Sequence, residues 1–127
     1  MAITTVQETE AVHEHSVQAV DPEEVLDRVD GDLEFLQELA ELFFDSSEEL
    51  LEELQSAIAS GDTVSVGTAA HTLKGAVGNF GAMRAFNLAL ELEKMGKNGM
   101  LDQAKAVSAN LEAELQEVKT QIQKILQ

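Results

Sequence analysis

At 127 residues the chain fits one domain with a single continuous core and leaves no room for a kinase with a second lobe. Its 24 acidic side chains against 8 basic ones give a formal charge of −16, which repels nucleic acid and anionic membrane surfaces, so neither is expected as a partner. The absence of cysteine excludes disulfides and thiolate zinc sites, and no apolar run approaches the roughly 20 residues of a membrane-spanning helix.

Alanine, leucine, glutamate, glutamine and lysine dominate, with one proline and no tyrosine or tryptophan, a composition that favours helix over sheet. Residues 1–20 are polar and without helical periodicity, and they read as a flexible N-terminal tail, with 21–127 as the folded domain. The first residues carry glutamates, no lysine or arginine and no apolar run of signal-peptide length, so the expected location is the cytoplasm. Within the tail, His13-Glu14-His15 could hold a divalent ion only loosely because no third ligand is fixed nearby, so no metal and no cofactor is assigned to the chain.

Asp21-Pro22-Glu23-Glu24 has the form of a helix start, with Asp21 as N-cap and Pro22 in the first turn, and the short helix it opens runs to about Val29. Gly31 breaks it and Asp32 caps the next. From Leu33 a stripe of Leu36, Leu39, Phe43, Leu50, Leu54 and Ile58 predicts one long helix, closed at Ser60-Gly61-Asp62. A second long helix, Asp62 to about Phe80, buries Val66, Ala70, Leu73, Val77 and Phe80. A third, from about Ala82 to Met95, turns Ala85, Leu88, Leu92 and Met95 inward and ends in a turn at Gly96-Lys97-Asn98-Gly99. The last runs from about Leu101 to the end through Ala104, Leu111, Leu115, Val118, Ile122 and Ile125. Four long amphipathic segments on short connections predict an all-α, antiparallel up-down-up-down four-helix bundle with a short N-terminal capping helix.

His71 is the residue on which chemistry can be built. At about 100° per residue, the centre of the stripe through Ala70, Leu73 and Val77 lies about 140° away from it, so the imidazole faces solvent. The same face holds Val64, Thr68, Gly75, Gly78 and Ala82, none of them charged, in a chain whose other surfaces are crowded with glutamate. A smooth uncharged face on so acidic a protein is expected to dock a partner. Gly75, one turn from His71, costs the helix about 1 kcal/mol relative to alanine and leaves bare backbone beside the ring. Positive charge is scarce and local: Arg28 is the sole basic residue before position 71, whereas Lys74, Arg84, Lys94 and Lys97 follow closely. Lys74 is a helical neighbour of His71, while Arg84 and Lys97 could add to the local field.

Ala70-His71-Thr72-Leu73-Lys74-Gly75, followed by Gly78-Asn79-Phe80-Gly81, closely resembles the signature of the histidine-containing phosphotransfer (HPt) family. The resemblance spans about Asp21 to Leu126, taking in Gly31-Asp32, Phe43 or Phe44, and Leu92-Glu93. It implies a four-helix bundle that accepts phosphate on His71 and exchanges it with the aspartate of response-regulator receiver domains, in relays fed by a histidine kinase or hybrid kinase. In that reading Lys74 is the cation beside the phosphohistidine, Gly75 admits the receiver, and Glu93 hydrogen-bonds the ring nitrogen that is not phosphorylated. Mg²⁺ is then expected on the receiver, and the chain is a stoichiometric carrier, since Gly75, Gly78 and Gly81 follow Lys74 at helical spacing and form no nucleotide cradle. Two other readings stay open, a helical adaptor that binds a receiver or kinase without transfer, and the N-terminal phosphoacceptor domain of a chemotaxis-type kinase. The dimerisation element of a histidine kinase fits less well, because Thr72 stands where an acidic residue usually follows the histidine. A free-standing monomer is the expected form.

Overall fold

The computed structural model describes residues 18–127 and, among them, five helices and no strand. In α1 (Pro22–Arg28) the Asp21 carboxylate accepts from the Glu23 N–H at 3.0 Å, and Pro22 fills a first-turn position where a missing N–H costs nothing. Asp30 and Gly31, with φ of 54° and 74°, then reverse the chain in left-handed backbone. Asp32 caps α2 (Leu33–Ser60) by accepting from the Phe35 N–H at 3.1 Å, and Gly61 ends it. Asp62 caps α3 (Thr63–Gly78) in the same way through the Ser65 N–H at 3.1 Å. After a connection at 79–82 come α4 (Met83–Asn98) and, after Gly99, α5 (Ala104–Leu126).

Each long helix packs on two neighbours in the order α2, α3, α4, α5 and back to α2, which makes the expected four-helix bundle. The stripes read from spacing face its axis. Val66, Ala70, Leu73, Val77 and Phe80 are all buried, as are Leu36, Phe43 and Leu54 on α2, Leu92 on α4 and Leu111, Val118 and Ile122 on α5. Each fully buried leucine contributes about 1.5–3 kcal/mol of hydrophobic stabilisation, more than a typical cap or surface ion pair at about 1 kcal/mol or less. No helix among the described residues is long and apolar enough to cross a membrane.

Two boundaries differ from expectation. Ala19 and Val20 belong to the core, at 3 % and 2 % exposure, and both of their N–H groups donate to Oε1 of Gln121 on α5, at 2.8 and 3.0 Å. The folded domain therefore begins before Asp21; a helix cap marks the start of an element, and the chain ahead of it is still held. The rest of the expected tail, with His13 and His15, lies outside the described residues. The second correction concerns α4, which continues through Gly96, Lys97 and Asn98 and stops at Gly99, whose φ is 70°. Gly96 is buried against α3 and is a packing residue, not a turn residue.

Candidate functional site

His71 lies in the middle of α3 with its side chain 66 % exposed, as the phase of the core stripe requires. Its Nδ1 is 2.9 Å from Oε2 of Glu93 on α4. A carboxylate at this site can only accept, so the imidazole donates its Nδ1–H and carries the free lone pair on Nε2. Nε2 has no hydrogen-bond partner among the described residues.

Glu93 is the one buried charged residue described, at 4 % exposure. The Lys74 ammonium stands 2.8 Å from Oε1, and that of Lys97 stands 3.2 Å from Oε2, the oxygen already engaged by His71. These partners hold the Glu93 carboxyl down at about 2, below its ordinary 4.5. Lys74 is the largest cause; burial works against it, and His71 and Lys97 add to the lowering. One carboxylate and two ammonium groups leave a local charge of +1 beside an imidazole, in a chain of net −16.

Lys74 is the less exposed of the two lysines, 21 % against 70 % for Lys97, and its Nζ also sits 5.9 Å from the centre of the Phe86 ring. Lys97 reaches Glu93 because α4 runs on past Met95, which makes the two residues an i, i+4 pair. Gly75 is exposed, and a Cβ built on it meets nothing within 4 Å. Its bareness serves no packing contact inside the bundle.

Val64, Thr68 and His71 line one shallow groove together with Gly67, Glu93 and Lys97. Val64 is 77 % exposed, an apolar surface that the bundle does not use. Of the residues expected at this site, Ala82 and Arg84 are elsewhere and Gly78 is partly covered. Ala82 is fully buried as N-cap of α4, because α3 ends at Gly78 and its helical phase cannot be carried through the connection. Gly78 is half-buried, with a Cβ position 3.5 Å from the Phe86 ring. Arg84 bonds Glu114 on α5 at 2.9–3.0 Å; nine residues before Glu93, it projects about half a turn away from the site. Spacing alone also missed Gly67 and Gly96, whose signal was their distance of one helical turn from His71 and from Glu93.

The family model of the Hpt domain matches residues 38–121. Among solved structures the chain is similar to histidine-containing phosphotransfer protein B (HptB) from Pseudomonas aeruginosa, with a TM-score of 0.70 and 30 % identity over 85 % of this chain and 94 % of that one. The HPT domain of an Hpt sensor hybrid histidine kinase from Shewanella gives a TM-score of 0.72 over 87 % of this chain and 95 % of that one; at 21 % identity this likeness is one of fold. No curated protein matches the chain.

Proposed function

The chain belongs to the Hpt domain family and has its histidine phosphotransfer role in two-component phosphorelay, and from this premise we propose that Nε2 of His71 carries the phosphoryl group. The donor and acceptor are aspartates of response-regulator receiver domains, with a histidine kinase or hybrid kinase upstream. The observation that carries this reading is an exposed imidazole whose other nitrogen is tied to a buried carboxylate.

In the forward step the Nε2 lone pair forms the N–P bond in line as the P–O bond of the aspartyl phosphate breaks, and its electron pair returns to the aspartate carboxylate. Because Nδ1 keeps its proton, the ring becomes cationic as the bond forms, and Glu93 stabilises that charge at 2.9 Å. Lys74 and Lys97 provide the positive field for the anionic phosphoryl group, which needs positioning and charge neutralisation more than covalent assistance. Gly75 leaves bare backbone for the receiver's active-site loop, and Val64 and Thr68 form part of the docking surface. The receiver supplies its own Mg²⁺. The chain acts as a stoichiometric carrier and monomer in the cytoplasm, in keeping with a family of phosphotransfer carriers and not kinases.

The test is incubation with a panel of phosphorylated receivers, reading acid-labile, base-stable label on this chain. Wild type is expected to take up label and His71→Gln none. Label retained on His71→Gln ends the assignment, and a wild type that binds receivers without ever being labelled makes the chain an adaptor.

A further inference from the structure

The pairing of His71 with Glu93 requires α3 and α4 to stand at one definite separation, and the bundle contains a contact that sets it. Gly67 precedes His71 by one turn on α3, and Gly96 follows Glu93 by one turn on α4. A Cβ on Gly96 would lie 2.6 Å from the Gly67 nitrogen, 2.8 Å from the Thr63 carbonyl oxygen and 2.9 Å from the Gly67 Cα. All three are backbone atoms, which cannot rotate aside as a side chain would. The relation is one-sided, since a Cβ on Gly67 would meet only the Glu93 carbonyl oxygen and the Lys97 nitrogen, at 3.9 and 4.0 Å.

The geometry points to Gly96 as the positioning residue of the site: its backbone contact with Gly67 brings α4 close enough for the Glu93 carboxylate to reach Nδ1 of His71 and hold the ring in its Nδ1–H form. Heavy atoms repel below about 3.5 Å, so one added methyl at Gly96 moves the helices apart by about 1 Å. From 2.9 Å, that displacement takes the His71–Glu93 pair past hydrogen-bond distance. Lys97, next to Gly96 in sequence, is carried away with it.

This inference rests on His71 being the phosphate carrier, but its first readout involves no phosphate. In wild type, ¹⁵N NMR of the neutral ring is expected to show the Nδ1–H tautomer. In Gly96→Ala it should shift toward the Nε2–H form, and phosphotransfer from a phosphorylated receiver should slow about tenfold or more, a misplacement of about 1 Å being capable of a hundredfold effect. Leu54→Ala on α2 lowers stability through a core cavity and should leave the tautomer unchanged, which separates a positional effect from general loosening. If Gly96→Ala does not fold, Glu93→Asp decides: helices already in backbone contact cannot close up on a shorter side chain, so the Nδ1–H form should be lost there too. A wild-type ring in the Nε2–H form, an unchanged tautomer in folded Gly96→Ala, or a retained Nδ1–H form in Glu93→Asp each overturns the proposal. Correct tautomers in a protein that takes no label leave the positioning role standing and end the phosphotransfer assignment instead.

Discussion

Glu93 titrates near 4.5 when unfolded and at about 2 when folded, so the unfolded chain binds its proton first as the solution is acidified. Stability from this carboxylate is therefore fully present above about pH 4.5 and is lost as pH falls through that window to about 2. Glu93→Gln removes the charge while keeping an acceptor for Nδ1–H. The thermal midpoints of wild type and Glu93→Gln are expected to differ at pH 7 and to converge as pH drops from 4.5 to 2; a gap that stays constant would contradict the pairing with Lys74 and Lys97. Family resemblance pointed to Glu93 at the sequence level, but its burial did not follow from residue type, because a glutamate on a helix is ordinarily a solvated one.

At the scale of one helix, α3 retains a glycine that its own stability does not require. Gly75→Ala places a methyl in open space and should raise stability by about 1 kcal/mol through helix propensity, measured by urea unfolding. The same change is expected to slow transfer from a phosphorylated receiver, since it adds bulk one turn from His71. Stabilisation with unaltered transfer would remove Gly75 from the docking surface. On α4, Arg84 faces α5 and not the site, with side-chain exposures of 35 % for Arg84 and 15 % for Glu114. Arg84→Ala should cost about 1 kcal/mol or less and leave the transfer rate unchanged, in contrast to Lys74→Ala. The ends of α4 were harder to read than its middle. A glycine beside lysine and asparagine has the composition of a turn, but here the helix continues through it and it packs on Gly67, the left-handed stop falling at Gly99 instead.

Across the whole molecule, the described N-terminal residues are fastened to the C-terminal helix over more than 100 positions. Gln121 accepts from two consecutive backbone N–H groups while Ala19 and Val20 insert into the core. Gln121→Ala leaves two donors without this acceptor and is expected to lower stability by about 1–3 kcal/mol, read from denaturant unfolding. Hydrogen exchange at Ala19 and Val20 should rise by a larger factor than in the α3 core. An unchanged exchange rate at these amides would mean that the clamp is not what holds the segment.

The sequence by itself determined the five helices, two of their N-caps, the inward stripes and the outward turn of His71, because these depend on local backbone chemistry and on a period of about 3.6 residues that each segment carries alone. Its motif also led to Lys74, Gly75 and Glu93. Tertiary structure alone decided that Ala19 and Val20 are core, that Ala82 is buried and Arg84 is turned toward α5, and that Lys97 shares the carboxylate of Glu93. These depend on where one helix ends and how near the next one stands. Such distances are set by contacts between residues far apart in sequence, the backbone meeting at Gly67 and Gly96 among them.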